Sequence, residues 1–152
     1  MKSSPKFITT VELGRLARWL RLLGFDCTFF DREKKRDLII ESLREDRVIL
    51  TRSSRLSRFS GVRMVHIESD FVERQLEQVA KDLRLKIDRS KMFTRCVECN
   101  TLTEGVARET VKDKIPPYVY KTQEEFMHCP GCGKTYWRGT HLDLANKFLS
   151  RV

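Results

Sequence analysis

Residues 6–30 read KFITTVELGRLARWLRLLGFDCTFF, and this stretch decides the fold. Residues 6–10 form a short β-like run built on Phe7 and Ile8. Over residues 12–23 the period lengthens, and Leu13, Leu16, Leu20 and Leu23 fall along one helical face. Gly24 stops that helix, and residues 27–30 return to a strand. The alternation continues outward. Residues 37–45 read as a helix, 48–51 as a buried strand and 64–67 as a fourth strand. Asp70 and Glu73 have capping-box spacing for a further helix, which would turn Phe71, Leu76, Val79, Ala80 and Leu83 inward. Strand and helix in alternation predict an α/β, Rossmann-like parallel sheet covered by helices. The polar stretch 86–95 then reads as a linker, dividing an α/β domain (1–90) from a cysteine-bearing module with a C-terminal helix (91–152).

Four of the five cysteines form two C-x-x-C pairs, Cys96/Cys99 and Cys129/Cys132. Each pair places two thiolates on one tight turn, and two such turns complete the tetrahedral sulfur cage that zinc prefers. In Cys129-Pro130-Gly131-Cys132-Gly133-Lys134 the glycines suit a turn that needs positive φ. An iron–sulfur cluster, a redox dithiol and a disulfide framework are the competing readings. A reducing compartment disfavours disulfides, and no thioredoxin-like helix follows either pair. One structural zinc per chain is therefore expected. The fifth, Cys27, lies in an apolar stretch and reads as a buried structural thiol.

The 152 residues include 30 Lys+Arg against 21 Asp+Glu, a net charge of +9. The excess is local: residues 1–63 carry fifteen basic and eight acidic side chains, or +7. Such a balance points to a polyanionic partner, most simply nucleic acid. With 40% hydrophobic residues the chain can build a core, and no apolar run approaches a membrane span. The opening residues lack the long apolar stretch of a secretory signal, so a cytoplasmic protein without a membrane partner is expected.

In an open α/β sheet, ligands gather at the carboxyl ends of the strands. Those ends hold Thr9 and Thr10, then Asp31, then Thr51-Arg52-Ser53-Ser54, with Asp37 opening the second helix. Hydroxyls and arginine suit phosphate oxygens better than a hard dication. The first helix adds Arg15, Arg18 and Arg21 opposite its leucine face, with Trp19 beside them. Arg52, Arg55 and Arg58 repeat the spacing after the third strand. Guanidinium groups beside an aromatic ring can contact phosphates and stack on bases.

The stretches LGRLARWLRLLGFD (13–26), RVILTR (47–52) and CPGCGKTYWRGTH (129–141) resemble the Mut-seven C-terminal ribonuclease family. The resemblance implies a PIN-like nuclease domain followed by a zinc ribbon, acting on RNA. It also implies an aspartate after the first strand, where this chain has Thr10, and another after the third, where it has Ser53. Asp37 keeps the acidic position at the second helix, and Glu12 stands two residues after Thr10. Tyr136, Trp137, Arg138 and His141 match the family's ribbon tail and would pack it or touch RNA. Pro116-Pro117 with Tyr118 and Tyr120 reads as a stiff loop, while His66 and His128 carry no assignment. The expected function is an RNA-binding, PIN-like protein with a structural zinc ribbon and weak or degenerate catalysis. The alternatives are an active metal-dependent ribonuclease, holding Mg or Mn on Asp37 with Glu12 or Asp31, and a protein–protein adaptor with a basic face.

Overall fold

The computed structural model describes residues 3–54, 56, 61–138, 145–147, 149 and 150. Strands β1 (Lys6–Thr9), β2 (Cys27–Phe29), β3 (Arg47–Thr51) and β4 (Met64–His66) form a parallel sheet in the order β2-β1-β3-β4. Helices α1 (Gly14–Leu22), α2 (Lys35–Glu45) and α3 (Val72–Asp82) cover it. Side chains alternate across the sheet. Phe7, Val48, Leu50 and Val65 pack with α1 and α3, whereas Ile8 and Ile49 pack with Leu38 and Ile39 of α2. Apolar layers on both faces explain why β3 is buried along its whole length. No helix among the described residues is long and apolar enough to cross a membrane.

Three local expectations fail, two near α3 and one in the cysteine module. The helix begins at Val72 with Phe71 as its N-cap, and no side chain caps it. The Asp70–Glu73 spacing is thus one residue out of step with the helix start. Instead the Ser69 hydroxyl accepts from the Phe71 amide, and Asp70 pairs with Arg52. Phe71 points outward at 64% exposure, and Val72, Gln75, Leu76 and Val79 form the buried face. In the module, Pro116-Pro117 does not form a stiff loop. Pro117 opens α4 (Pro117–Thr122), where a missing N–H removes no helical bond.

The cysteine module carries an antiparallel sheet, β5 (Glu104–Val106), β6 (Phe126–His128) and β7 (Thr135–Trp137), in the order β5-β6-β7. Its own core is small: Val111, Ile115, Val119 and Phe126. Much of its apolar surface is instead shared with the parallel sheet, since Phe93, Cys96, Cys129, Tyr136 and Ala145 belong to the α1–α3 core. The expected C-terminal helix lies partly outside the described residues. Within them, the Ser150 amide bonds to the Asn146 carbonyl at 3.0 Å.

Polar contacts reinforce the junction. The Asn100 side chain accepts from the Cys27 amide at 3.1 Å and donates to Asp26 at 2.8 Å. Asp26 also takes a 2.7 Å bond from Arg47. Burial opposes ionisation of Asp26, but the Arg47 and Asn100 hydrogen bonds and the charge of Arg95 hold its carboxyl below the usual range. Gly24, at φ 92°, ends α1 where a Cβ would stand 2.5 Å from the Lys91 carbonyl oxygen. Only glycine lets the chain entering the module pass that close.

Candidate metal centre and strand-end cleft

The two C-x-x-C turns are built alike. The residue after each pair, Asn100 at φ 70° and Gly133 at φ 80°, adopts the left-handed conformation. Each donates its amide to the carbonyl of the first cysteine, Cys96 or Cys129, at 2.9 Å. Asparagine and glycine are the residues that tolerate this geometry best. The turns face one another, and the four thiol sulfurs lie within 4.8 Å of each other. Cys96 Sγ stands 3.5 Å from Cys132 Sγ, and Cys99 Sγ stands 3.4 Å from Cys129 Sγ. A tetrahedral site with Zn–S bonds of about 2.3 Å has sulfur–sulfur edges of about 3.8 Å, so the four residues fit zinc in both chemistry and spacing.

The surroundings favour a held site. Tyr136 places its hydroxyl 3.0 Å from Cys96 Sγ while accepting the Val97 amide at 3.0 Å. The Thr101 hydroxyl stands 3.3 Å from Cys99 Sγ, giving that sulfur a polar neighbour as well. Cys27 differs: buried away from the cluster, its thiol is pushed up to about 12 by desolvation. It is an apolar packing group in the sheet.

A second cavity, of about 190 Å³, opens where β1 and β3 end. Thr10, Glu12, Glu33 and Ser53 line it, with Arg32 and Lys35. The Thr10 hydroxyl donates to Glu12 at 2.6 Å, and the Arg52 amide approaches the same carboxylate oxygen at 3.4 Å. Partial burial opposes ionisation of Glu12, yet these hydrogen bonds hold its carboxyl below the usual range. Both contacts fall on Oε1 of an otherwise exposed side chain.

Asp37 is not among the residues that line this cavity. Asp37 lines an adjoining cavity with Glu41, Arg44, Glu45 and Arg32, which lines both, while Asp31 is exposed and lines neither. The second carboxylate at the strand ends is Glu33. Its signal was its place in the loop leaving β2, on the carboxyl side of the sheet. Among the described residues, the four cysteines are the one group of three or more metal-ligating side chains that converge. The strand-end cavity is lined by two carboxylates, Glu12 and Glu33, beside the cations of Arg32 and Lys35.

The arginine surface is also redistributed. Arg15 and Arg18 are exposed, and Arg18 is paired with Glu98 at 2.7 and 3.2 Å. Arg21 is not on that surface. It is 8% exposed, and its guanidinium donates to the carbonyls of Cys27 (2.8 Å), Val97 (3.0 Å) and Glu98 (3.1 Å). At about 100° per residue, Arg21 stands only about 40° round the helix from buried Ala17, so an every-third-residue series turns into the core. Arg52 pairs with Asp70. Arg55, Arg58 and His141 lie outside the described residues. Trp19 and Trp137 are half-buried, Tyr136 is buried and Arg138 is exposed. His66 Nε2 lies 2.9 Å from the Arg52 carbonyl, and His128 lies 3.9 Å from Glu104.

The family model for the Mut7-C RNAse domain matches residues 5–149, nearly the whole chain. The chain belongs to the Mut7-C RNAse domain family. The match takes in both the parallel sheet and the cysteine module, which agrees with their shared core. No curated protein and no solved structure matches the chain significantly. As a member of an RNase-domain family carrying a four-cysteine cluster, it is a ribonuclease-like protein with a site that could bind zinc.

Proposed function

We propose that this Mut7-C family protein binds RNA in the cytoplasm, carries one structural zinc, and has little or no metal-dependent cleavage activity. The strand-end cleft carries the proposal. Thr10 and Ser53 occupy two of the positions where the family resemblance implies carboxylates, and Asp37 lines another cavity. Glu12 and Glu33 supply two negative charges, but Arg32 and Lys35 line the same cavity and offset them, which weakens its hold on a dication. RNA binding is supported by the family and by the +7 charge of the first 63 residues. Zinc would be held by Cys96, Cys99, Cys129 and Cys132, closing two turns whose module has a small core of its own.

The test compares wild type with Thr10→Asp/Ser53→Asp for RNA binding and for manganese-dependent cleavage. Wild type is expected to bind RNA with strong salt dependence and to cut it no faster with manganese than without. The double substitution is expected to gain cleavage. Wild-type cleavage that needs manganese and disappears in Glu12→Gln would overturn the loss of activity and make Glu12 a ligand. Equal affinity for RNA and for heparin would favour the adaptor reading, in which the basic face meets an acidic partner.

A further inference from the structure

A cleft of about 260 Å³ separates α1 from the cysteine module, and it belongs to neither the thiol cage nor the strand ends. Trp19 and Arg18 line one side; Lys134, Tyr136 and Trp137 line the other, and Phe93 contributes between them. The chain has two tryptophans, and both face this one cleft although they come from opposite ends of the sequence. Its cations sit together: Arg18 (2.7 Å) and Lys134 (3.2 Å) share the single carboxylate of Glu98. Two positive charges on one negative leave a surplus for an incoming anion.

Aromatic walls with a cationic rim have a specific complement, a flat ring that carries phosphate. Aromatic side chains stack on any base, because every base presents a π-face, and guanidinium or ammonium groups take the phosphate oxygens. The volume is below the roughly 300–1,000 Å³ of a drug-sized pocket, which limits the occupant to about one nucleotide. We infer that this cleft is a stacking site for one unpaired base of single-stranded RNA, seated between Trp19 and Trp137 with its phosphate toward Arg18 and Lys134, while buried Tyr136 forms the floor. The inference rests on the RNA-binding reading and gives it a location. Because Arg18 and Lys134 are already paired with Glu98, stacking supplies more of the affinity than charge does.

The full-length, zinc-loaded protein is titrated with single-stranded RNA of about ten nucleotides, a usual span for such sites. Binding is followed by anisotropy of a label on the RNA and, in parallel, by the protein's own tryptophan fluorescence. An abasic oligonucleotide of equal charge is the control. RNA is expected to quench tryptophan with the same midpoint as the anisotropy, and the abasic strand to bind without quenching. Trp137→Leu and Trp19→Leu are each expected to weaken RNA binding roughly five-fold or more and leave its salt slope unchanged. The quench is read on wild type, so it holds even where a tryptophan variant folds poorly. RNA that binds without quenching, with both variants unaffected, overturns the cleft and leaves RNA binding standing. No RNA binding at any salt concentration overturns both.

Discussion

Replacing Arg21 by alanine should loosen the cysteine module from the parallel sheet. The side chain is 8% exposed, and its three hydrogen bonds reach one carbonyl of β2 and two in the Cys96–Cys99 turn. Hydrogen bonds from a charged donor contribute about 1.5–3 kcal/mol each, and buried acceptors left alone add to the loss. The full sum is an overestimate, because the Val97 and Glu98 carbonyls are only part-buried and water can reach them once the side chain is gone. A loss of about 3–5 kcal/mol is expected. For a chain of this size it lowers the melting temperature by roughly 6–20 °C. Arg21→Lys should fall between, since one ammonium cannot reproduce a planar fork aimed at three acceptors. Arg18→Ala is the control: its bridge to Glu98 is about half exposed and should contribute less than about 1 kcal/mol. Denaturant unfolding of the zinc-loaded proteins measures all three. If Arg21→Ala costs no more than Arg18→Ala, the carbonyl grip is not what joins the two parts, and Arg21 returns to the phosphate-binding surface.

Further outcomes follow from the same geometry. Elemental analysis of protein purified without added metal should give close to one zinc per chain, and full chelation should unfold the cysteine module; an iron–sulfur absorbance would contradict this. Asp26 has a folded-state pKa below its ordinary value of 3.8, so its stabilisation is complete above that value and is lost as pH falls through the lowered one. Asp26→Asn should therefore be destabilising at neutral pH, with the gap to wild type closing in acid, as melting temperatures from pH 7 down to pH 2 would record. Gly24→Ala forces a side chain into a left-handed turn against the Lys91 carbonyl and should destabilise by more than about 1 kcal/mol in the same unfolding assay. Replacing Arg15, Arg18 and Arg52 together by alanine should flatten the log–log salt dependence of RNA binding by up to about 2, at roughly 0.7 for each phosphate the arginines no longer neutralise.

Most of the parallel sheet was legible because period alone identifies it. Phe7 and Ile8 face opposite layers, and the leucines at 13, 16, 20 and 23 share one face, whatever the rest of the chain does. The paired cysteine spacing was equally direct. What the pattern did not reveal depended on distant partners. Arg21 looks like the third member of an exposed series until the Val97 and Glu98 carbonyls, 76 and 77 residues away, are placed beside it. The Asp70–Glu73 pair satisfies a local rule, but burial of Val72 and Gln75 sets the start of α3 one residue later. Asp37 and Glu33 are four residues apart, and only the path of the chain from β2 into α2 sends one into the cleft and the other to a different cavity. The expected division near residue 90 follows composition, which carries no record of Phe93, Cys96 and Tyr136 packing into the core of the α/β layer.

On the proposed function, the strand ends of this ribonuclease-family chain hold no divalent cation. Calorimetric titration of manganese into the zinc-loaded wild-type protein tests it most directly. The account predicts no saturable site in the micromolar range for wild type, and the appearance of one in Thr10→Asp/Ser53→Asp. A tight, one-per-chain manganese site in wild type, lost in Glu12→Gln, would contradict it.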